Sequence, residues 1–433
     1  MKGEWKILYA LQTILNRSKP TKATKKRIAM AKLATVQLPA NLKERLMQGH
    51  PWVYRNHVPP NLHLSSGSWV RVQCGNWKGF GLWDNQSPIA IRLFSRQEPP
   101  TPKWIREQVQ SAWDLRSSLR QQNCTAYRWL FGEGDGLPGI TVDLYDRFAV
   151  VQTYMESAAV LLNWLVDALQ ATASLEGIYL KTQHRSLEMN DRDDESANAP
   201  SDSKVKLIWG QPAPKALIVE EHGLKFQVDL HAGQKTGLFL DHRENRKYVE
   251  GLSKGRTVLN CFAYTGAFSL YALRGQASHV TSVDIGKGLA EAASTNIKLN
   301  GLDDRRHTFI TQDCFTLLND SIQQGKQFDL IILDPPSFAK TKQNRHAAQR
   351  AYSKINTLAL RCLAPDGLLV SASCTSQVSP EAFKEAIAAA GATTGHQIQI
   401  IHEIGQPIDH PVPAQFPEGR YLKFVVGRVR RSN

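Results

Sequence analysis

An acid followed by two prolines and, two positions later, an aromatic ring make up Asp334-Pro335-Pro336-Ser337-Phe338, a set of groups suited to holding a flat, polar substrate such as a base. Proline has no amide donor and restricts the residue before it, so the pair ends strand pairing and stiffens the loop that presents the carboxylate. The preceding Leu330 to Leu333 is apolar and strand-like, which puts Asp334 at the carboxyl end of a strand. Cys374, in VSASCTSQ, ends a later apolar run and is flanked by Ser373, Thr375 and Ser376. A lone cysteine is most often a small buried hydrophobe. At a strand end on the same rim as Asp334, a thiolate can instead serve as a nucleophile.

A second group of candidates lies in Thr257 to Asp284, TVLNCFAYTGAFSLYALRGQASHVTSVD. It reads as strand, turn, helix and second strand, one βαβ unit. The turn residues Asn260, Phe262, Tyr264, Thr265 and Gly266 would face a ligand at the helix start. Asp284, at the tip of the second strand, can accept hydrogen bonds from both hydroxyls of a ribose. A dinucleotide turn needs GxGxxG, and here Gly266 stands alone, so a nicotinamide dehydrogenase is the poorest fit. Asp313, in TQDCF, could accept from an adenine amine, though a helix N-cap explains it equally well. Gln234, Lys235, Thr236, Asp241 and Arg243 gather polar groups just upstream of the unit, and Gln234 and Asp241 are counted with the cofactor candidates.

The elements that must position these groups alternate. After Asp284 come helix, strand, helix, strand through to Val426, the pattern of a mainly parallel, doubly wound α/β sheet that binds ligands at the carboxyl ends of its strands. A hairpin around His222-Gly223 leads into it. Upstream, residues 36–100 read as short strands and turns, a small β-barrel in which Lys43, Arg45, His50, Trp52, Arg55 and His57 mix cations with an aromatic ring as RNA-binding surfaces do. The plainer reading is a solvated strand edge with Trp52 in the core. Residues 101–215 follow as a middle α+β domain, with one helix over Trp104 to Gln122, a Gly-rich turn at Gly132 to Gly139, and a polar acidic insertion over 186–206. The α/β domain occupies 216–433.

At 433 residues, with 42% hydrophobic and 21% charged content, the chain has the composition of a soluble multidomain protein without a membrane span. Its six cysteines show no CxxC or Cys-His spacing, which argues for a reducing cytoplasmic setting and against a disulfide framework or metal site. The net charge of +14 favours a polyanionic partner such as nucleic acid. Residues 1–35 carry nine Lys or Arg against one acid, so the folded body is less basic than the total implies. That tail is open to three readings: a nucleic-acid arm, an organelle presequence, or a translation start placed upstream of Met30.

Taken together, HPWVYRNHV, FGEGDGLPGITVD, EEHGLKFQVD, KTGLFLDHRENR, VLNCFAYTGAFSLYA, LDPPSFAK, SCT and PEGRYLK resemble the RlmI-like family of large-subunit ribosomal RNA cytosine methyltransferases. The resemblance runs in order from about Leu33 to Val426. It implies an N-terminal PUA RNA-binding domain, a middle domain and a Rossmann-like class I methyltransferase domain. It also implies S-adenosylmethionine as cofactor, ribosomal RNA as partner, and a homodimer. In that family's chemistry Cys374 would attack carbon 6 of cytosine, and Asp334 would hold the base. Pro335, Pro336 and Phe338, with Arg45 and Trp52 from the first domain, would then contact RNA. Ser337 stands where relatives often carry Lys. Two other readings remain: methylation of an exocyclic amine, which needs no cysteine, and a non-catalytic RNA-binding factor.

Overall fold

The computed structural model describes residues 33–182, 205–231, 238–338 and 344–431. Gln234, Lys235 and Thr236 lie outside the described residues, as do most of the acidic insertion and the basic tail.

The first sheet comprises β1 (Ala34–Gln37), β2 (Trp52–Tyr54), β3 (Trp69–Cys74), β4 (Trp77–Trp83) and β5 (Ile89–Ser95), in the order β1-β3-β4-β5-β2. Alternation in β3 buries Val70, Val72 and Cys74 and leaves Arg71 exposed. Strand β1 begins at Ala34, inside the stretch assigned to the tail, because Val36 fills the core when Ala34 to Gln37 pair with Val70 to Gln73. Helix α1 (Lys43–Met47) lies between β1 and β2.

The second sheet has β6 (Ala126–Phe131), β7 (Ile140–Tyr145), β8 (Phe148–Thr153), β9 (Gly177–Thr182) and β10 (Val205–Gly210), in the order β10-β9-β8-β7-β6. Its helix α2 (Pro102–Leu115) is capped by the Thr101 hydroxyl, which accepts from the Trp104 amide. The single helix expected over Trp104 to Gln122 is broken at Arg116. There the chain turns and the buried guanidinium grips Asp135 through two bonds of 2.7 Å, so α3 (Ser117–Gln121) starts afresh. Helix α4 (Leu162–Thr172) connects β8 to β9. Val205 and Lys206, counted in the insertion, open β10 instead, because pairing with β9 gives the apolar VKLIWG run a sheet to extend.

The hairpin of β11 (Leu217–Glu221) and β12 (Leu224–Val228) turns at His222 and Gly223, whose φ values of 48° and 77° suit a two-residue turn. Helix α5 (Arg243–Leu252) then leads into β13 (Thr257–Cys261), α6 (Ala267–Arg274), β14 (His279–Asp284), α7 (Leu289–Leu299), β15 (His307–Thr311), α8 (Cys314–Gln323) and β16 (Phe328–Leu333). The chain ends with α9 (Arg345–Arg361), β17 (Leu363–Ser373), α10 (Pro380–Thr394), β18 (His396–Ile404) and β19 (Lys423–Arg431). These strands form a seven-stranded sheet in the order β15-β14-β13-β16-β17-β19-β18. Pairing is parallel from β15 to β17, and β19 runs antiparallel between β17 and β18. From β13 the chain moves outward to β15, then returns to β16 on β13's other side. That reversal opens a crevice at the carboxyl ends of β13 and β16.

Candidate active site at the sheet's switch point

The register aligns the ends of the central strands. Cys261 pairs with Val283 and with Leu333, and Leu333 pairs with Ser371. Asp284, Asp334 and Cys374 therefore all project from one rim.

On the cofactor side, the turn after β13 is wound tightly, with positive φ at Phe262 (59°), Tyr264 (49°) and Gly266 (80°). Asp284 holds it: one carboxylate oxygen accepts from the Tyr264 amide at 2.9 Å and the other from the Gly286 amide at 3.0 Å. Gly266 is required on two counts. Its φ disfavours a side chain, and a Cβ there would sit 3.1 Å from that of Ala293 on α7. Asn260 is buried beneath the turn and donates to Ser269, while its own carbonyl oxygen has no partner. The Thr265 carbonyl accepts from Asn296. Asp313 caps α8, accepting from the Thr316 amide and hydroxyl, so the N-cap reading describes its contacts. Cys261 and Cys314 are buried packing residues.

On the reacting side, the Asp334 side chain is partly exposed, and its Oδ1 lies 3.3 Å from Nε2 of the buried His242. Asn245 lies 2.9 Å from the other ring nitrogen, while Nε2 makes no hydrogen bond of good geometry, so its contact with Asp334 is one of proximity. Pro335 is buried and Pro336 exposed. Phe338 packs edge-on against Tyr352 at 4.9 Å, so part of the ring expected to stack on a base is committed to the core. Cys374 is partly accessible, whereas the other five cysteines are buried. Tyr352, on α9, is pushed up to about 12 by burial, and both Cys374 and Asp334 lie near enough to add to that rise. From β19 the buried Lys423 donates to the carbonyls of Thr375 and Tyr421.

Asp241 precedes His242 on the same turn. It accepts from the Tyr421 hydroxyl at 2.7 Å and lines a cavity of about 430 Å³ where the three units meet. Trp52 lines the same cavity, donating from its indole to Glu133 at 2.6 Å and packing 4.6 Å from Phe416. It is therefore outside the first sheet's core, where Val53 takes the inward position. Arg45 pairs with Glu418 at 2.6 Å. Trp52 and Asp241 thus line one cavity, and Arg45 pairs with Glu418 of its wall. Phe131 and Glu133 place the Gly-rich turn in its wall, which turn chemistry alone did not reveal.

The family model of S-adenosylmethionine-dependent methyltransferases matches residues 131–413, and that of PUA-like domains matches 36–96. The chain belongs to the S-adenosylmethionine-dependent methyltransferases. Ribosomal RNA large subunit methyltransferase I of Shewanella denitrificans is 35% identical over 401 residues, covering 91% of this chain and 99% of that protein. Its namesake from Yersinia pestis is 36% identical over 395 residues, covering 89% and 97%. An S-adenosylmethionine-dependent methyltransferase from Streptococcus mutans, 24% identical, shares the fold with a TM-score of 0.78 over 92% of this chain and 100% of that one.

The cofactor of this methyltransferase is S-adenosylmethionine, and the turn after β13 fits it. One glycine suffices because no pyrophosphate has to be cradled. The orphaned Asn260 oxygen is an acceptor for a donor such as the cofactor's ammonium. Among the described residues no His, Cys, Asp and Glu cluster could hold a metal, and no helix is long and apolar enough to cross a membrane. Sequence reading missed His242, Tyr352 and Lys423. The PEGRYLK motif contained Lys423, but without the β17–β19 pairing nothing tied it to Cys374.

Proposed function

We propose that this methyltransferase forms 5-methylcytosine in large-subunit ribosomal RNA, with Cys374 as nucleophile and Asp334 as the group that holds the base. The observation that carries the reading is the alignment of Asp334 and Cys374 at the ends of adjacent strands beside the switch point. The names of the relatives support the RNA class.

Carbon 5 of cytosine is a weak nucleophile. Addition of the Cys374 thiolate to carbon 6 breaks the 5,6 double bond and pushes its electron pair toward carbon 5. Asp334, with His242 Nε2 3.3 Å from its Oδ1, holds the base by accepting from the amino group of its N3 and amino edge. When bound, S-adenosylmethionine would be held by the Asn260–Gly266 turn and Asp284 and would supply an electrophilic methyl group to carbon 5, its bond to sulfur breaking. After carbon 5 gives up its proton to a base, the electron pair reforms the double bond and Cys374 leaves as thiolate. Pro335, Pro336 and Phe338 border the base. Arg45 and Trp52 contact the strand that carries it, Trp52 from the cavity it shares with Asp241 and Arg45 from beside Glu418 of that cavity's wall. An unpaired or turned-out base suits that geometry.

The scattered cysteines, none in CxxC spacing, favour the reducing cytoplasm. Family resemblance also implies a homodimer, which light scattering on the purified chain tests; a monomeric mass ends that part. Two experiments test the reaction. Bisulfite sequencing of ribosomal RNA from a deletion strain should reveal one cytosine that loses protection, restored by the wild-type gene. Cys374→Ala should retain S-adenosylhomocysteine binding and lose methyl transfer. Full activity in that variant would sink the cysteine mechanism and favour an exocyclic amine as acceptor.

A further inference from the structure

The thiol of Cys374 has a neighbour that nothing in the carbon 5 chemistry itself requires. Lys423 is only 4% exposed, yet it carries an ammonium group. Burying a lone ammonium is costly unless its donors are met and a negative charge repays the loss of water. Two of its donors go to backbone carbonyls, those of Tyr421 at 2.9 Å and of Thr375, the residue after Cys374. Carbonyl dipoles satisfy hydrogen bonds without neutralising the charge. Register explains the placement: Lys423 pairs with Ser373, so the start of β19 lies beside the end of β17, where Cys374 emerges.

We propose that Lys423 is a positioning residue whose buried ammonium is the counter-ion that holds Cys374 as a thiolate. This rests on the reading of Cys374 as nucleophile. Burial pulls the Lys423 pKa down to about 8, while Cys374 acts in the opposite direction. That value is above neutral pH, so the group remains mostly charged. Two further titratable groups on this side of the crevice, among the described residues, do not take its place. Tyr352, from α9, is pushed up to about 12 by burial and is neutral at pH 7. Asp334, from the end of β16, opposes a second negative charge, and its Oδ1 lies 3.3 Å from His242 in the turn before α5. Lys423 is thus the cation that this set of groups presents to the sulfur. Because an ammonium and a thiol at close quarters exchange one proton between them, the two titrate together, and the thiolate fraction is the quantity to measure.

Iodoacetamide reads that fraction, since the other five cysteines are buried. Its rate of reaction with Cys374, followed by peptide mass spectrometry across pH 5–10, should have a midpoint below the value of about 8.5 for a free thiol. In Lys423→Met the midpoint should rise by about 1–3 units, the effect of removing a close opposite charge. Lys423→Arg, which keeps the charge, should retain much of the low midpoint. S-adenosylhomocysteine binding by calorimetry reports whether each variant is folded. A wild-type midpoint at or above that of a free thiol overturns the proposal even if Lys423→Met fails to fold. An unchanged midpoint in a folded Lys423→Met does so too. The nucleophile reading fails separately, through an active Cys374→Ala.

Discussion

Asp334 and His242 show how little of a site's chemistry is carried by one side chain. The carboxylate has an imidazole nitrogen 3.3 Å away, and Asn245 lies 2.9 Å from that ring's other nitrogen. Replacing the acid by its amide keeps the shape but presents an NH2 group to the cytosine amine and removes the charge. Asp334→Asn should therefore lower kcat by about 10²–10³-fold, as loss of one preorganised electrostatic partner does. Its affinity for S-adenosylhomocysteine should remain that of the wild type, because the cofactor contacts lie across the crevice. Single-turnover methylation of a ribosomal RNA transcript, paired with calorimetry, measures both. A kcat within a few-fold of wild type would remove Asp334 from the reaction.

Among the elements, the turn between β13 and α6 does two jobs at once. Asp284 ties the Tyr264 and Gly286 amides into one cradle, and Gly266 lets α6 start close to α7. A methyl group at position 266 meets an unfavourable φ of 80° and a contact of 3.1 Å with Ala293. Gly266→Ala should destabilise the fold by about 1–3 kcal/mol, the usual cost of a strained backbone position, and weaken cofactor binding. Thermal unfolding with and without S-adenosylhomocysteine separates the two effects. The prediction fails if both melting temperatures equal those of the wild type.

Across the whole molecule, Asp409 connects the middle sheet to the methyltransferase sheet. Its carboxylate accepts from the Arg128 amide on β6 and from both terminal nitrogens of Arg243 on α5, at 2.9–3.0 Å. Burial alone would raise the Asp409 pKa, but the Arg243 guanidinium overrides it and holds it well below the ordinary carboxylate value. Since the folded-state pKa is depressed, the stabilisation is fully present above the unfolded value near 3.9 and is lost as pH falls through the folded one. Arg243→Ala should destabilise by about 3–5 kcal/mol, because Asp409 stays buried without its charge partner. Urea unfolding at pH 7 and at pH 3 tests both claims: the gap between wild type and variant should narrow at pH 3. An equal gap at both values would show that Asp409 is not the titrating partner.

The α/β alternation, the glycine-poor cofactor turn, and an acid and a cysteine at strand ends were legible in the sequence because they depend on local periodicity and on residue chemistry. Strand ends are local features, so Asp284, Asp334 and Cys374 could be singled out before their neighbours were known. What lies beside them could not. Lys423 reaches the Thr375 carbonyl, next to Cys374, only because β19 enters the sheet antiparallel between β17 and β18, a pairing that no local pattern encodes. His242 meets Asp334 across about ninety residues of chain, and Trp52 meets Asp241 in one cavity across nearly two hundred. Strand β10 was hidden in the same way: a short apolar run after a polar stretch becomes a strand only when an edge is there to pair with. Residue type and period determined which groups this methyltransferase can use. Long-range packing, with its burial and its charge pairing, decided which of them act together.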